Sequence, residues 1–189
     1  AAGELEWRGV RGRGGELRGG GGRKDGADGV WEAPAGARDQ GAVPTAADSQ
    51  TAFRENYPGG WRTLFPNGGT ETTEQGARLG FHGEATLAAW DWLQVAAEGG
   101  VAVELETCLM RSPFRLRRRI EVVAGRVTVI EEFTNESRTA QDAMWSHHPA
   151  FGAPFLDGSC TIETGARTFL AGADYDHPHS DPVHGARQA

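Results

Sequence analysis

From Val101 to Thr134 the chain alternates apolar and polar residues with a period of two, and that rhythm confines it to β-structure. Val101, Val103, Leu105, Thr107 and Leu109 share one face of an extended strand, with Ala102, Glu104, Glu106 and Cys108 on the other. Next, Phe114, Leu116, Arg118, Ile120 and Val122 oppose Arg115, Arg117, Arg119 and Glu121, and a third run spans Arg126 to Thr134 after a turn at Ala124-Gly125. Successive side chains of a strand point to opposite faces, so each run buries one face and wets the other. Strands in this meander order predict an antiparallel sheet. The arginines between Arg115 and Arg119 then fall mostly on the wet face, where pairing with acidic neighbours is favoured over anion binding.

Elsewhere the strand signal is shorter. Cys160-Thr161-Ile162-Glu163 and Arg167-Thr168-Phe169-Leu170 suggest two more strands, Ala85 to Trp92 fits a strand or a helical turn, and Asp174 to Ala189 reads as loop. No helix-length amphipathic pattern intervenes, so the predicted class is all-β, an antiparallel β-sandwich. Residues 1–43 are rich in glycine and arginine with little to bury, which predicts disorder, leaving 44–189 as a partial sandwich domain. Acidic residues balance the basic ones there and no aromatic repeat accompanies the arginines, which argues against an RNA-binding tail. Gly12-Arg13-Gly14-Gly15 lacks the strand and helix of a dinucleotide fingerprint.

A formal charge of −7 disfavours nucleic acid and anionic membrane as partners. With no long apolar run and no secretory start, the expectation is a soluble, cytoplasmic chain. Cys108 and Cys160 lack disulfide-framework or metal-ligand spacing and read as reduced structural residues, Cys108 as a buried thiol. His177, His179 and His184 in the tail do not form a ligand set with His82, His147 and His148 at any metal spacing, so no metal is expected.

Four ordered motifs carry a resemblance. They are Gly59-Gly60-Trp61-Arg62-Thr63-Leu64-Phe65-Pro66-Asn67, Gly80-Phe81-His82-Gly83-Glu84, Phe133-Thr134-Asn135 and His147-His148-Pro149-Ala150-Phe151-Gly152. Over roughly Asp48 to Asp181 the chain resembles the galactose mutarotase-like superfamily, and above all the aldose 1-epimerase-related proteins. The resemblance implies a large antiparallel supersandwich whose concave face binds a free aldohexose, and interconversion of α and β anomers without a cofactor. It implies His148 as the acid at the ring oxygen and His82 as its partner near the ring. The family's base is a glutamate close to its C-terminus, for which no counterpart is found here. The chain starts at Ala1 and ends in a polar stretch, and it reads as a fragment.

The remaining candidates are substrate-binding. Arg62 and Asn67 lie in the loop that resembles the sugar-side entrance, with planar donors suited to hydroxyls, although the family's binding arginine matches either Arg62 or Arg78. Glu84 is a candidate to orient His82 or to accept from sugar hydroxyls, and equally to stand as a solvated carboxylate. Trp61 and Trp145 are candidates to stack on a pyranose or to fill the core, and Trp145 is retained as a contact. Strand alternation turns His147 away from His148, to a supporting or surface place. The alternative function is a non-catalytic carbohydrate-binding β-sandwich that kept the pocket without the base.

Overall fold

The computed structural model describes residues 5–9, 17–22, 29–32, 47–123, 126–153, 155–157, 159–161, 163–170 and 187–188. The chain divides into two compact units, Ala1–Asp157 and Gly158–Ala189.

The long alternating runs form the strands they predict. In the first unit β6 (Asp91–Ala97), β7 (Gly100–Cys108), β8 (Phe114–Val123) and β9 (Arg126–Asn135) build a four-stranded antiparallel sheet in sequence order. Its apolar phase is buried: Leu116 and Ile120 are almost fully withdrawn from solvent, joined by Leu105 and Phe114. On the other phase Glu104 lies opposite Arg119 and Glu106 opposite Arg117. Arg119 pairs with Glu104 at 2.5 Å and Arg117 with Glu106 at 2.7 Å, while Arg115 bridges Glu106 and Glu136. The arginine cluster is therefore neutralised across strands, as alternation predicts, and exposed pairs of this kind stabilise little.

A second four-stranded sheet comprises β1 (Leu5–Gly9), β2 (Leu17–Gly22), β3 (Trp61–Leu64) and β10 (Ser146–Pro149), in the order β1-β2-β3-β10. β1 and β2 lie within the glycine-rich segment for which disorder was expected. Leu17 pairs with Trp61 and is buried among the core residues, and so ties this hairpin to the rest. The other residues of 1–28 and all of 33–46 lie outside the described residues. β4 (Thr72–Glu74) and β5 (Ala77–Leu79) form a separate hairpin.

One helix departs from the sequence expectation. α1 (Ser49–Glu55) is capped by Asp48, whose Oδ1 accepts from the Thr51 amide at 2.8 Å. With seven residues it is too short to show amphipathic periodicity, and it buries only Ala52 and Phe53. The stretch from Ala85 to Trp92 resolves into both expected options: the Leu87 and Ala88 amides donate to the Glu84 carbonyl as a helical turn, and β6 begins at Asp91.

Residues of both four-stranded sheets meet in one cluster. Phe65, just after β3, stacks on Phe133 of β9 at 4.4 Å between ring centroids and meets Phe114 of β8 edge-on at 4.8 Å. Full burial of such a ring contributes about 1.5–3 kcal/mol, so this trio is a principal apolar tie between β3 and the β8–β9 pair.

The second unit contributes β11 (Phe169–Leu170), paired with β12 (Arg187–Gln188). The predicted strand at Cys160 is corrected: Cys160, Thr161 and Glu163 are not in a strand and are exposed, and Ile162 lies outside the described residues. Cys108 is likewise exposed rather than buried, because it ends β7 on the wet phase. The turn at Ala124-Gly125 and the histidines at 177, 179 and 184 lie outside the described residues. Among the described residues no helix is long and apolar enough to cross a membrane.

Candidate functional site

β3 and β10 pair antiparallel, with His148 opposite Arg62 and His147 opposite Thr63. Directly opposed residues share a face and neighbours in sequence do not. The adjacent imidazoles are thereby sent to opposite sides of one strand, each into its own cluster.

On one side His148 meets His82, with ring centroids 5.6 Å apart. The fold brings these two residues together across a long separation in sequence. Phe53 and Tyr57, from α1 and the turn after it, wall the pair: Phe53 meets the His82 ring edge-on at 4.7 Å, and Tyr57 meets His148 edge-on at 5.1 Å. The Tyr57 hydroxyl lies 3.0 Å from His148 Nδ1.

His82 is held by its loop. Its backbone is left-handed at φ 63° and its amide donates to the Gly69 carbonyl. Gly83 follows at φ 79°, where an added Cβ would lie 2.3 Å from the Phe65 carbonyl oxygen, so only glycine lets the chain pass this close. His82 Nδ1 sits 2.9 Å from the Gly68 carbonyl oxygen. A carbonyl only accepts, so neutral His82 carries its proton on Nδ1 and presents a bare Nε2.

Both rings are half-buried, and desolvation is the main cause holding each below the ordinary imidazole pKa. For His82 the Gly68 bond opposes this and the nearby His148 adds to it. For His148 a backbone hydrogen bond opposes it and the Arg62 charge adds to it. Burial thus favours the neutral form of both rings, which suits them to exchanging hydrogen bonds with an uncharged ligand.

The other candidates fall in different places. Arg62 is fully buried beneath the pair, its guanidinium 5.3 Å from the Tyr57 ring centroid and 5.9 Å from that of Phe53. It donates to the carbonyls of Asn56 and Thr86, so it supports the aromatic wall. Asn67 is buried and braces its own loop by donating to the Thr70 and Gly80 carbonyls. Glu84 does not orient His82: Oε1 accepts from the Met110 and Arg111 amides, and Oε2 from the amide and hydroxyl of Ser112. A carboxylate engaged by so many donors anchors the 110–112 turn.

Trp145 belongs to the other side, with His147. Glu131 of β9 is the centre there, its side chain 2 % exposed. It accepts from Trp145 Nε1 at 2.7 Å and from the Thr63 hydroxyl, and it faces Arg118 Nε at 3.2 Å and His147 Nε2 at 3.4 Å. Trp61 Nε1 donates to His147 Nδ1 at 3.0 Å, which leaves the His147 proton on Nε2, toward Glu131. Burial lowers the His147 pKa, the Glu131 carboxylate opposes that shift, and the Arg118 charge reinforces it.

Tyr57, Phe53 and Glu131 were not anticipated. Glu131 had a readable signal, since it shares the apolar phase of Val127, Val129 and Phe133; Tyr57 had none beyond its place in a turn. Two concavities lie elsewhere, one of about 630 Å³ over the charged sheet face near Leu93 and Ile130, the other of about 230 Å³ beside Gln75 and Arg111. Neither concavity includes His82 or His148, and the site is placed at the histidine pair on its chemistry. Among the described residues no group of three or more His, Cys, Asp or Glu is arranged to hold a metal ion.

Comparison with protein-family models, curated proteins and solved structures gave no match for this chain.

Proposed function

We propose that this chain belongs to an aldose 1-epimerase-like protein of the mutarotase type of β-sandwich, and that a free aldohexose binds at His82 and His148. The single observation that carries the reading is the meeting of these two half-buried imidazoles 5.6 Å apart against an aromatic wall. Anomer interconversion needs one group to take the anomeric hydroxyl proton and another to protonate the ring oxygen. The bare Nε2 of His82 is fitted to the first task, and His148 is assigned the second. Phe53, Tyr57 and Phe81 supply the apolar surroundings that a sugar ring's C–H face favours.

The test is polarimetry of freshly dissolved α-glucose and α-galactose with the purified chain and with His148→Ala. The expected result is mutarotation above the buffer rate that falls by about a hundredfold or more in the variant, the usual contribution of a general acid or base. A buffer rate from a folded chain overturns the enzyme reading. Sugar binding without turnover, read by calorimetry, would instead support a carbohydrate-binding module.

A further inference from the structure

Two of the three clustered imidazoles have their tautomers fixed by partners that can act in one sense only. The Gly68 carbonyl can only accept from His82, and the Trp61 indole can only donate to His147. The side-chain partner of His148 is a phenol hydroxyl, which can do either, and the contact of its ring with the His148 backbone carbonyl, which only accepts, favours the opposite tautomer, so the strength of the Tyr57 donation decides the direction.

We propose that Tyr57 is a positioning residue that donates its hydroxyl hydrogen to His148 Nδ1, so that His148 is held as the Nε2–H tautomer and directs that N–H to the ring oxygen of the bound sugar. The last clause rests on the sugar reading above; the tautomer does not. A phenol oxygen shares a lone pair with its ring, which makes it a good donor and a poor acceptor, whereas an unprotonated imidazole nitrogen is a good acceptor at neutral pH. The Arg62 guanidinium over the Tyr57 ring, 5.3 Å from the centroid, withdraws electron density and favours donation further. Phe53 stacks on Tyr57 at 5.1 Å with an 18° tilt, and Tyr57 stands nearly perpendicular to His148 at 86°, so the hydroxyl is held in place from two sides. Among the described residues, the charged or titratable groups facing His148 are Tyr57 after α1, Arg62 on β3 and His82 in its loop, and the Arg62 charge opposes formation of an imidazolium.

The arrangement balances the ring-opening step. As His148 Nε2–H passes its proton to the ring oxygen, the bond from that oxygen to the anomeric carbon breaks with its electrons going to oxygen. The Tyr57 hydroxyl proton moves to Nδ1, and the anomeric hydroxyl proton goes to His82 Nε2 as the carbonyl forms. Rotation of the carbonyl and reversal of each transfer closes the ring on the other face. The guanidinium over the Tyr57 ring offsets the charge left on the phenol oxygen.

The experiment reads imidazole nitrogens directly, by long-range ¹H–¹⁵N correlation spectra of the full chain without sugar, in wild type and Tyr57→Phe. The expected wild-type spectrum shows His148 protonated at Nε2 alone. In Tyr57→Phe the two His148 nitrogens average toward a tautomer mixture, while His82 and His147 keep their patterns. A wild-type His148 protonated at Nδ1, or a His148 unchanged by Tyr57→Phe, overturns the proposal; should the variant not fold, the wild-type spectrum alone decides. Where wild type accelerates mutarotation, Tyr57→Phe is expected to slow turnover by about a hundredfold with KM little changed, and an unchanged rate overturns the catalytic clause. The expected tautomers in a chain with no mutarotation support the Tyr57 assignment and overturn the epimerase reading, so the two are judged separately.

Discussion

Arg118 and Glu131 stand directly opposite each other on β8 and β9, 3.2 Å apart from Nε to Oε1, and both side chains are withdrawn from solvent on a face otherwise built from apolar residues. Their attraction offsets the desolvation of two charges only while both are present. Arg118→Leu alone is expected to destabilise the chain by about 3–5 kcal/mol, because it strands a buried carboxylate. The double variant Arg118→Leu/Glu131→Leu removes the stranded charge and recovers part of that loss, since it also leaves the Thr63 hydroxyl, the Trp145 indole and the His147 ring without their acceptor. Urea unfolding of wild type, both single variants and the double variant measures the coupling, and a double variant as unstable as the sum of the singles would exclude it.

Glu84 supplies the acceptors that hold the 110–112 turn. Glu84→Ala leaves those amides to water and is expected to cost about 1–3 kcal/mol. Amide hydrogen exchange should accelerate at Met110, Arg111 and Ser112 before it changes in β7 or β8. Unaltered exchange in the turn would show that the carboxylate is dispensable there.

Gly83 combines a left-handed backbone with a Phe65 carbonyl oxygen 2.3 Å from where a Cβ would stand. The left-handed region alone costs an L-residue about 1–2 kcal/mol, and here the obstructing atom is backbone. Gly83→Ala is therefore expected to lose more than about 2 kcal/mol and to displace His82, whereas Gly69→Ala, with open space around its Cβ, serves as the tolerant control. Equal denaturation midpoints for the two variants would refute the close approach.

The histidines also set a pH dependence. Folded His82, His147 and His148 all have pKa values below the ordinary 6.5, so the unfolded chain binds more protons as the pH falls through that value. Stability is expected to be level above about pH 6.5 and to decline below it, toward the depressed folded values. The lowered carboxylates Glu71 and Glu106 act in the same direction, but only below their ordinary 4.5, so the interval between isolates the imidazoles. Mutarotation, where present, should fall over the same acid limb as His82 Nε2 becomes protonated. Unfolding midpoints at pH 7.5, 6.0 and 5.0 report the first effect and polarimetry the second.

The strands from Val101 to Thr134 were legible because their alternation is local, and it placed Arg118 on the buried face before any partner was known. The same rule turned His147 away from His148. The pairing of β3 with β10 was not legible, since register between segments so distant in sequence depends on tertiary contacts. The β1–β2 hairpin was missed because glycine-rich text offers little apolar surface, and Leu17 is the one side chain of it among the described residues that joins the core. Glu84 was misplaced for a related reason: a carboxylate two residues from His82 invites pairing with it, yet its acceptors are claimed by backbone donors of a later turn.

The two neighbouring histidines of β10 carry a risk for folding fidelity. Because the side chains are identical, a slip of one residue against β3 still brings an imidazole to one of the two clusters, so side-chain type guards the alignment poorly. Slipped one way, Ser146 would stand where Glu131 meets His147; slipped the other, Pro149 would stand where Tyr57 meets His148. Each error keeps one polar anchor and forfeits the other, which makes a near-native competitor of the native pairing. The native alignment alone satisfies Tyr57 and Glu131 together, so those two residues act as the proofreaders of a four-residue strand.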